Sequence, residues 1–144
     1  MIRVTRKYRF SASHRLHSGQ LSESENQNIY GKCNYPFGHG HNYELEVSVK
    51  GPVEEKSGRA LDRSALDKLV SSEVLSAFDH KNLNAEVAAF ADTVPTTENL
   101  GIEIHRRLKT KWRSAFPGAW PALDKVRIAE TSRNIFEVRD DGQE

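Results

Sequence analysis

The chain has 144 residues, of which 28% are charged and 37% hydrophobic, and its formal net charge is +1. This length corresponds to one ordinary domain, so we expect a single domain over residues 1–144. The near-neutral charge excludes a strong overall attraction to nucleic acid or to an anionic membrane, and no apolar run reaches the length of a membrane span. A single cysteine cannot form an internal disulfide, and together with the lack of a signal-peptide pattern it predicts a cytoplasmic protein.

The first part of the chain predicts strands separated by a long polar stretch. Residues 2–14 place apolar side chains at alternate positions, interrupted only by Arg6, which predicts a strand. Residues 15–38 predict a long loop, which is uncommon inside a compact domain and often functional. A second strand is predicted over about 39–50, and a short return strand near 59–61 would complete a hairpin.

Two helices and two short strands are predicted in the remaining chain. The first helix runs from about 63 to 77 with Asp62 as its N-cap, and the second from about 96 to 112. The strands cover about 126–130 and 135–138. This order of elements predicts an α+β fold in which the helices cover one face of an antiparallel sheet.

Three histidines are placed to share a metal ion. His39 and His41 lie two residues apart on a predicted strand, so their side chains point to the same face. His14 ends the first strand on its core-facing side, and antiparallel pairing of the two strands would bring it to the other two. Three histidines without a fourth protein ligand are typical of a catalytic zinc site. The alternative is a set of strand-end histidines hydrogen-bonded to the backbone.

Four further residues have side chains suited to catalysis. Cys33 precedes the histidine pair, where a nearby metal ion would lower the pKa of its thiol and make it a base or nucleophile; a buried structural cysteine is the alternative. Asp79 could orient the His80 imidazole in a turn, although both residues are ordinary at a helix end. Glu130 occupies an apolar position of its strand and needs a partner, such as the N–H edge of a planar ligand, unless it lies in solvent.

Other charged residues favour simpler interpretations. Glu98, in the first turn of the second helix, suits the helix dipole without any ligand. His17 has no placement near the other histidines, and His105 is predicted to be a surface residue. The basic residues within 106–113 predict a solvated helix face, and indicate a phosphate site only weakly.

Five blocks of the sequence, in order, resemble the 6-pyruvoyl-tetrahydropterin synthase family. They span nearly the whole chain and comprise Phe10–Leu16, Gly31–Asn34 with Gly38–Tyr43, Asp79–Leu83, Thr96–Asn99 and Glu130-Thr131. The resemblance implies a tunnelling fold, in which a four-stranded antiparallel sheet with two helices on one face trimerises into a barrel. Two trimers would form a homohexamer, which would pair the sheet edges between subunits and account for the modest apolar content.

The resemblance also implies a zinc site and an acid–base pair. His14, His39 and His41 match the zinc ligands of the family, and Cys33 matches its catalytic base. The proton-relay partners of that base are matched by Asp79 and His80. Because the family's site lies between subunits, these two residues could serve the Cys33 of a neighbouring chain.

The implied substrate is 7,8-dihydroneopterin triphosphate, on which the family acts as a carbon–oxygen lyase. Triphosphate is eliminated, and the two side-chain hydroxyls become ketones by internal redox without an external electron acceptor. Glu130 matches the carboxylate that anchors the pterin ring, and Thr96, Thr97 and Glu98 match residues lining the same pocket. The residues leave open whether Mg²⁺ assists.

Other functions are compatible with the same residues. The sister enzyme 6-carboxy-tetrahydropterin synthase, of the queuosine pathway, starts from the same substrate but resembles a shorter C-x-x-x-H-G-H spacing. Here the loop from Cys33 to His39 spans six positions and carries Tyr35 and Phe37, a spacing that favours the pyruvoyl type although the bulky side chains could reshape the pocket. A zinc-binding scaffold without turnover, or a zinc hydrolase, is also conceivable, but neither accounts for Cys33 and Glu130 together.

Overall fold

The computed structural model describes residues 1–141, in which five strands form one mixed sheet of order β3-β1-β2-β4-β5. The strands are β1 (Ile2–His14), β2 (His39–Gly51), β3 (Lys81–Asn82), β4 (Ala122–Ala129) and β5 (Ile135–Arg139). Four of them pair antiparallel, as predicted, but β3 adds a short parallel strand beside the end of β1. The prediction of a four-stranded, purely antiparallel sheet is therefore wrong by this one strand.

The register between β1 and β2 determines where the histidines lie. Ile2 is opposite Gly51 and His14 is opposite His39, so the end of one strand meets the start of the other. Side chains alternate between the two faces of a strand, so His14 shares the core face with Phe10, and His39 and His41 share it with Tyr43. The predicted pairing of these strands is confirmed.

The polar stretch after β1 is not simply a loop. It contains α1 (Glu23–Tyr30), followed by a 3-10 turn at Gly31–Asn34. The Ser22 hydroxyl accepts the Glu25 backbone N–H, and the Glu25 carboxylate accepts the Ser22 backbone N–H. This reciprocal capping box starts a helix that buries one side chain, that of Asn26, and has no apolar stripe.

The other helices cover one face of the sheet. The first predicted helix is present as α2 (Arg63–Val70), a π-helical turn (Ser71–Leu75) and α3 (Ser76–Phe78), with Asp62 as its cap. A short α4 (Leu83–Glu86) follows β3, and α5 (Thr97–Ala115) extends the second predicted helix. The return strand predicted near 59–61 is wrong, because residues 52–62 form turns and bends without ladder pairing.

The core lies between α2, α3 and α5 and the sheet. Its fully buried members on the strands include Leu45, Val47 and Ile128, and those on the helices include Leu66 and Ile104. Burying such side chains contributes roughly 1.5–3 kcal/mol each. The three histidines lie at the end of this packed layer, where the sheet stops. None of the helices among residues 1–141 combines the length and apolar character needed to cross a bilayer.

Candidate metal centre and active site

His14, His39 and His41 converge into one cluster at the end of the sheet. His14 Nε2 lies 3.1 Å from His39 Nε2, and the potential ligand atoms of the three residues all lie within 4.8 Å of one another. The rings meet edge to face, with centroids 4.7 to 5.1 Å apart. Three imidazoles in this arrangement can coordinate a single ion.

One protein contact fixes the tautomer of His14. Its Nδ1 lies 2.8 Å from the carbonyl oxygen of Pro95, the residue just before the cap of α5. A carbonyl oxygen only accepts hydrogen bonds, so Nδ1 carries the proton and Nε2 presents its lone pair to the cluster. Backbone support of this kind is the usual arrangement behind a metal-binding histidine.

The environment favours the neutral form of two of the imidazoles, the form that binds metals. Burial and then the neighbouring histidines lower the pKa of His14, which is only 1% exposed. Burial and His41 lower the pKa of His39. Among residues 1–141, neither His39 Nδ1 nor His41 Nε2 has a hydrogen-bond partner. This nitrogen donor set fits zinc.

Glu130 lies at the same cluster. It follows β4, and its Oε1 is 3.2 Å from His41 Nε2 and 3.6 Å from His14 Nε2, with the side chain 15% exposed. The carboxylate therefore lies against two imidazole nitrogens, and neither of them makes a hydrogen bond with it by geometry. Its position also keeps a negative charge beside any molecule bound at the histidines.

The charge of Glu130 acts electrostatically on Cys33. The residue belongs to the 3-10 turn, and its carbonyl accepts the Leu16 backbone N–H at 2.8 Å. Burial and then the Glu130 carboxylate raise the pKa of the Cys33 thiol. A cation at the histidines would act in the opposite direction.

Two hydroxyl groups lie behind the cluster. Tyr43 is 1% exposed, its hydroxyl lies 3.4 Å from His14 Nδ1, and burial and Glu130 raise its pKa. The Thr97 hydroxyl partly opposes this rise in the pKa of Tyr43. Thr97 is 3% exposed, and by geometry its hydroxyl has no hydrogen-bond partner among the described residues. Thr96 caps α5 by accepting the Asn99 N–H, and Glu98 is exposed in the first turn. Of these three residues, Thr97 is buried, Thr96 is half-buried and Glu98 is exposed.

Asp79 and His80 form a pair of their own. His80 Nδ1 lies 3.0 Å from Asp79 Oδ1, and Asp79 also accepts the Ser11 backbone N–H at 2.9 Å. That N–H and then the His80 charge lower the pKa of Asp79. His80 has a positive φ of 60°, and its side chain is 82% exposed. The contacts of this pair do not reach Cys33 within the described part of one chain.

Two of the simpler interpretations need adjustment. His105 is not a plain surface residue, because it is 17% exposed and its Nε2 lies 3.3 Å from Asp140. Arg107, in the basic stretch, packs over the Phe78 ring at 5.0 Å and pairs with Glu103. His17 stays outside the metal cluster, as predicted.

Several residues of the site give little signal in the sequence. The Pro95 carbonyl is a backbone group, so no side-chain pattern indicates it. Tyr43 reads as an ordinary core residue of β2, although its place two residues after His41 on the same face could have marked it. Asn34, 9% exposed, was hidden within the supposed loop.

The chain matches proteins of known family over almost its whole length. The family model for 6-pyruvoyl tetrahydropterin synthase matches residues 3–141. A 6-pyruvoyl tetrahydrobiopterin synthase of Poecilia reticulata is 43% identical over 136 residues, 94% of this chain and 88% of that protein.

A solved structure and an archaeal relative extend the comparison. The structure of Caenorhabditis elegans 6-pyruvoyl tetrahydropterin synthase matches with a TM-score of 0.87 at 41% identity, covering 96% of this chain and 95% of that one. A putative 6-carboxy-5,6,7,8-tetrahydropterin synthase of Archaeoglobus fulgidus is 33% identical over 101 residues, 70% of this chain and 75% of that protein. On sequence, on fold and on the order of its site residues, this chain belongs to the 6-pyruvoyl tetrahydropterin synthase family.

Proposed function

We propose that the protein is a zinc-dependent 6-pyruvoyl-tetrahydropterin synthase that eliminates triphosphate from 7,8-dihydroneopterin triphosphate. The observation that carries the proposal is the convergence of three imidazoles and one carboxylate at the end of the sheet, with a thiol on which that carboxylate acts electrostatically. Each group has a separate task in this reaction. The two products together contain all the atoms of the substrate, so no external oxidant or reductant is required.

His14, His39 and His41 would hold the zinc ion. When bound, zinc supplies a Lewis acid that polarises the oxygens of the substrate side chain and acidifies the adjacent C–H bonds. Holding the substrate in one orientation can itself lower the barrier by several kcal/mol. The carboxylate of Glu130 would accept N–H groups from one edge of the pterin ring and so select that orientation.

Cys33 would act as the base that takes a proton from the side-chain carbon. The Glu130 charge acts on its thiol, which becomes an effective base once its pKa approaches the working pH. The Asp79–His80 pair would then move protons at the other end of the side chain, with Asp79 holding the imidazole. Thr97, buried beside Tyr43, would line the ring pocket.

No contact joins His80 to Cys33 within the described part of one chain, and this separation supports a site shared between subunits. His80 is exposed and its contacts stay with Asp79 and Ser11, so it is available to a neighbouring chain. We therefore include in the proposal a homohexamer built from two trimers. A cytoplasmic location fits the single free cysteine.

Product analysis tests the proposal. The zinc-loaded protein is incubated with 7,8-dihydroneopterin triphosphate, and the pterin product is identified by mass while released triphosphate is measured. A 6-pyruvoyl product with triphosphate in equal amount is expected. A 6-carboxy product would instead assign the sister activity despite the six-position spacing from Cys33 to His39.

Two variants separate catalysis from metal binding in the same assay. Cys33→Ala is expected to keep zinc but to lose turnover by roughly 100-fold or more, the usual contribution of a general base. His39→Ala is expected to lose the metal itself, whereas His17→Ala should keep it. Zinc binding without turnover in the wild type would leave a scaffold protein as the function.

A further inference from the structure

The residues on either side of Cys33 line an open recess of about 690 Å³. Its lining includes Arg15, which follows the metal ligand His14, and Lys32 and Asn34, which flank Cys33. The other polar side chains of the wall are His17, Glu23 and Gln27. The lining therefore contains sequence neighbours of a metal ligand and of the catalytic thiol, although those residues themselves do not line it.

Asn34 organises this wall. Its side-chain nitrogen donates to the Leu16 carbonyl at 2.8 Å, which identifies that atom as the amide N–H₂. The same nitrogen lies 3.0 Å from His17 Nδ1, so Nδ1 accepts and the neutral imidazole carries its proton on Nε2. The backbone oxygen of Asn34 accepts the Arg15 Nε–H at 3.0 Å. One residue, 9% exposed, thus fixes both the guanidinium and the imidazole.

All three basic groups present donors and no acceptor. Arg15 and Lys32 take part in no ion pair among residues 1–141, and the Nε2–H of His17 adds a third donor. Glu23 is the one acid in the lining, so the two basic side chains of Arg15 and Lys32 outnumber it. An anionic ligand rich in acceptor oxygens would complement this wall.

The other charged recesses do not combine these properties. The recess of about 630 Å³ lined by Lys109 and Arg113 carries two cations, but Lys109 is paired with Asp140 at 3.0 Å, and no residue of that lining flanks Cys33. The recess of about 470 Å³ beside His80 balances Lys81 against Glu86. The one beneath Trp120 places Arg59 among Glu54 and Asp62. Neither has an excess of positive charge, and neither is lined by the residues flanking Cys33.

We propose that the recess formed by Arg15, His17 and Lys32 binds the polyphosphate tail of the substrate. This assignment rests on the proposed function, because it takes Cys33, whose sequence neighbours line the recess, as the base that starts the elimination. Arg15 would bind phosphate oxygens through its terminal N–H groups while Nε stays with Asn34. Lys32 would add a mobile point charge, and Asn34 would act as a positioning residue.

Inorganic tripolyphosphate is the probe, used on the metal-free protein so that it cannot bind to or remove the metal. Calorimetric titration at fixed pH and ionic strength gives Kd for the wild type, Lys32→Gln and Arg15→Gln. Among residues 1–141 the Lys32 side chain forms no hydrogen bond or ion pair, so its variant should fold normally even if loss of the Arg15–Asn34 bond in the other variant perturbs the loop. Lys56→Gln, an exposed lysine on a distant turn, is the matched control.

We expect Lys32→Gln and Arg15→Gln each to weaken the binding of tripolyphosphate about tenfold, since a charge-assisted contact typically contributes that much affinity or more. Lys56→Gln should bind as the wild type does. In the zinc form, both recess variants should raise KM for the triphosphate substrate, while inhibition by 7,8-dihydroneopterin, which lacks phosphate, stays unchanged. Added salt should weaken the binding of tripolyphosphate to the wild type more than its binding to either variant.

Equal affinity in the wild type and both recess variants, or no binding by the wild type, would overturn the assignment even if the protein turns over its substrate. The converse result is equally distinct. Weakened binding in the variants, together with no turnover by the zinc-loaded wild type, would support the polyphosphate site while removing the proposed reaction.

Discussion

Glu130 connects the histidine cluster to Cys33 through its charge. The carboxylate lies 3.2 Å from His41 Nε2, and it is the second cause, after burial, of the raised pKa of the thiol. Burial first, and then a residue that lies against the metal-ligand histidines, therefore favour the protonated thiol. A base suppressed in this way would become reactive only when positive charge arrives at the site.

We predict that Glu130→Gln makes the metal-free Cys33 more reactive. Removing the negative charge lowers the pKa of the thiol, so more thiolate is present at neutral pH and iodoacetamide should alkylate it faster by a factor of about three or more. The rates of wild type and variant should converge at high pH, where both thiols are ionised. Glu44→Gln changes a half-buried carboxylate that, among residues 1–141, pairs with Lys7; it is the control and should not alter the rate. Identical pH profiles for Glu130→Gln and the wild type would show that burial alone raises the pKa of the Cys33 thiol.

Much of the site could be predicted from the sequence because strand periodicity is strict. The shared face of His39 and His41, and their meeting with His14, follow from alternation and antiparallel pairing. The partner of Glu130 could not be predicted, since it depends on how far β4 extends relative to β2. The tautomer of His14 depends on a backbone carbonyl before α5, which no side-chain pattern encodes.

At the scale of elements, the start of β2 depends on one glycine. Gly38 has a φ of +73°, and a Cβ added there would lie 2.9 Å from the His14 carbonyl oxygen. A side chain would therefore meet both the left-handed strain and a backbone clash, at the point where the chain delivers His39. Gly40, two residues on, would place a Cβ at an ordinary 3.8 Å from the Ala12 carbonyl oxygen.

We predict that Gly38→Ala destabilises the protein by about 1–3 kcal/mol and weakens zinc binding. Urea unfolding measures the first effect and competitive zinc titration the second. Gly40→Ala is the matched control and should change both far less. If Gly38→Ala bound zinc as tightly as the control, the approach of β2 to His14 would not be what positions the histidines.

The polar stretch after β1 shows where elements escape sequence patterns. Its helix α1 has a capping box at Ser22 and Glu25, a signal that is present in the sequence, but lacks the apolar stripe by which helices are usually recognised. The prediction of a return strand near residues 59–61 is wrong for a different reason. Glu54 and Arg59 do share a backbone hydrogen bond, but the intervening turn closes on itself and no ladder continues from it.

The attachment of α2 to the sheet gives a pH-dependent prediction. The Asp67 carboxylate accepts hydrogen bonds from Arg6 at 2.7 Å and from the Tyr8 hydroxyl at 2.6 Å, and these contacts, Arg6 first, lower its pKa. A carboxyl with a lowered folded pKa adds stability above its unfolded pKa of about 4. This stability is lost as the pH falls through the folded value.

Asp67→Asn should therefore lower the free energy of unfolding by about 1 kcal/mol at neutral pH, a figure reduced for its 41% exposed side chain. The difference from wild type should stay constant from pH 8 to about pH 5 and shrink below about pH 4. Urea unfolding of the metal-free protein across this range measures it. Asp92→Asn, at an exposed loop position, should show no such dependence. A difference that persists unchanged in acid would mean that the charge of Asp67 is not what stabilises the contact.

At the scale of the whole molecule, one chain leaves strand edges open. β3 pairs with β1 only at Ala12 and Ser13, so the rest of β1 has a strand partner on one side, and β5 forms the opposite edge of the sheet. Exposed edges of this length favour pairing with another chain. The Tyr35 and Phe37 rings, 5.5 Å apart and mostly exposed, lie on the loop that connects Cys33 to the histidines. Both features support the proposed assembly of 16.3 kDa chains.

A shared site makes a sharp prediction, because it can be completed by two defective chains. Cys33→Ala and His80→Ala should each be inactive alone, since every site of either protein lacks one catalytic group. When the two are denatured, mixed in equal amounts and refolded together, random assembly should give about a quarter of the sites an intact Cys33 from one chain and an intact His80 from its neighbour. Activity should return to about that fraction of the wild-type value. Cys33→Ala mixed with Cys33→Ser is the control and should stay inactive. A mixed sample with no activity, in which mass spectrometry shows that the chains have assembled together, would place Cys33 and His80 of each site on the same chain.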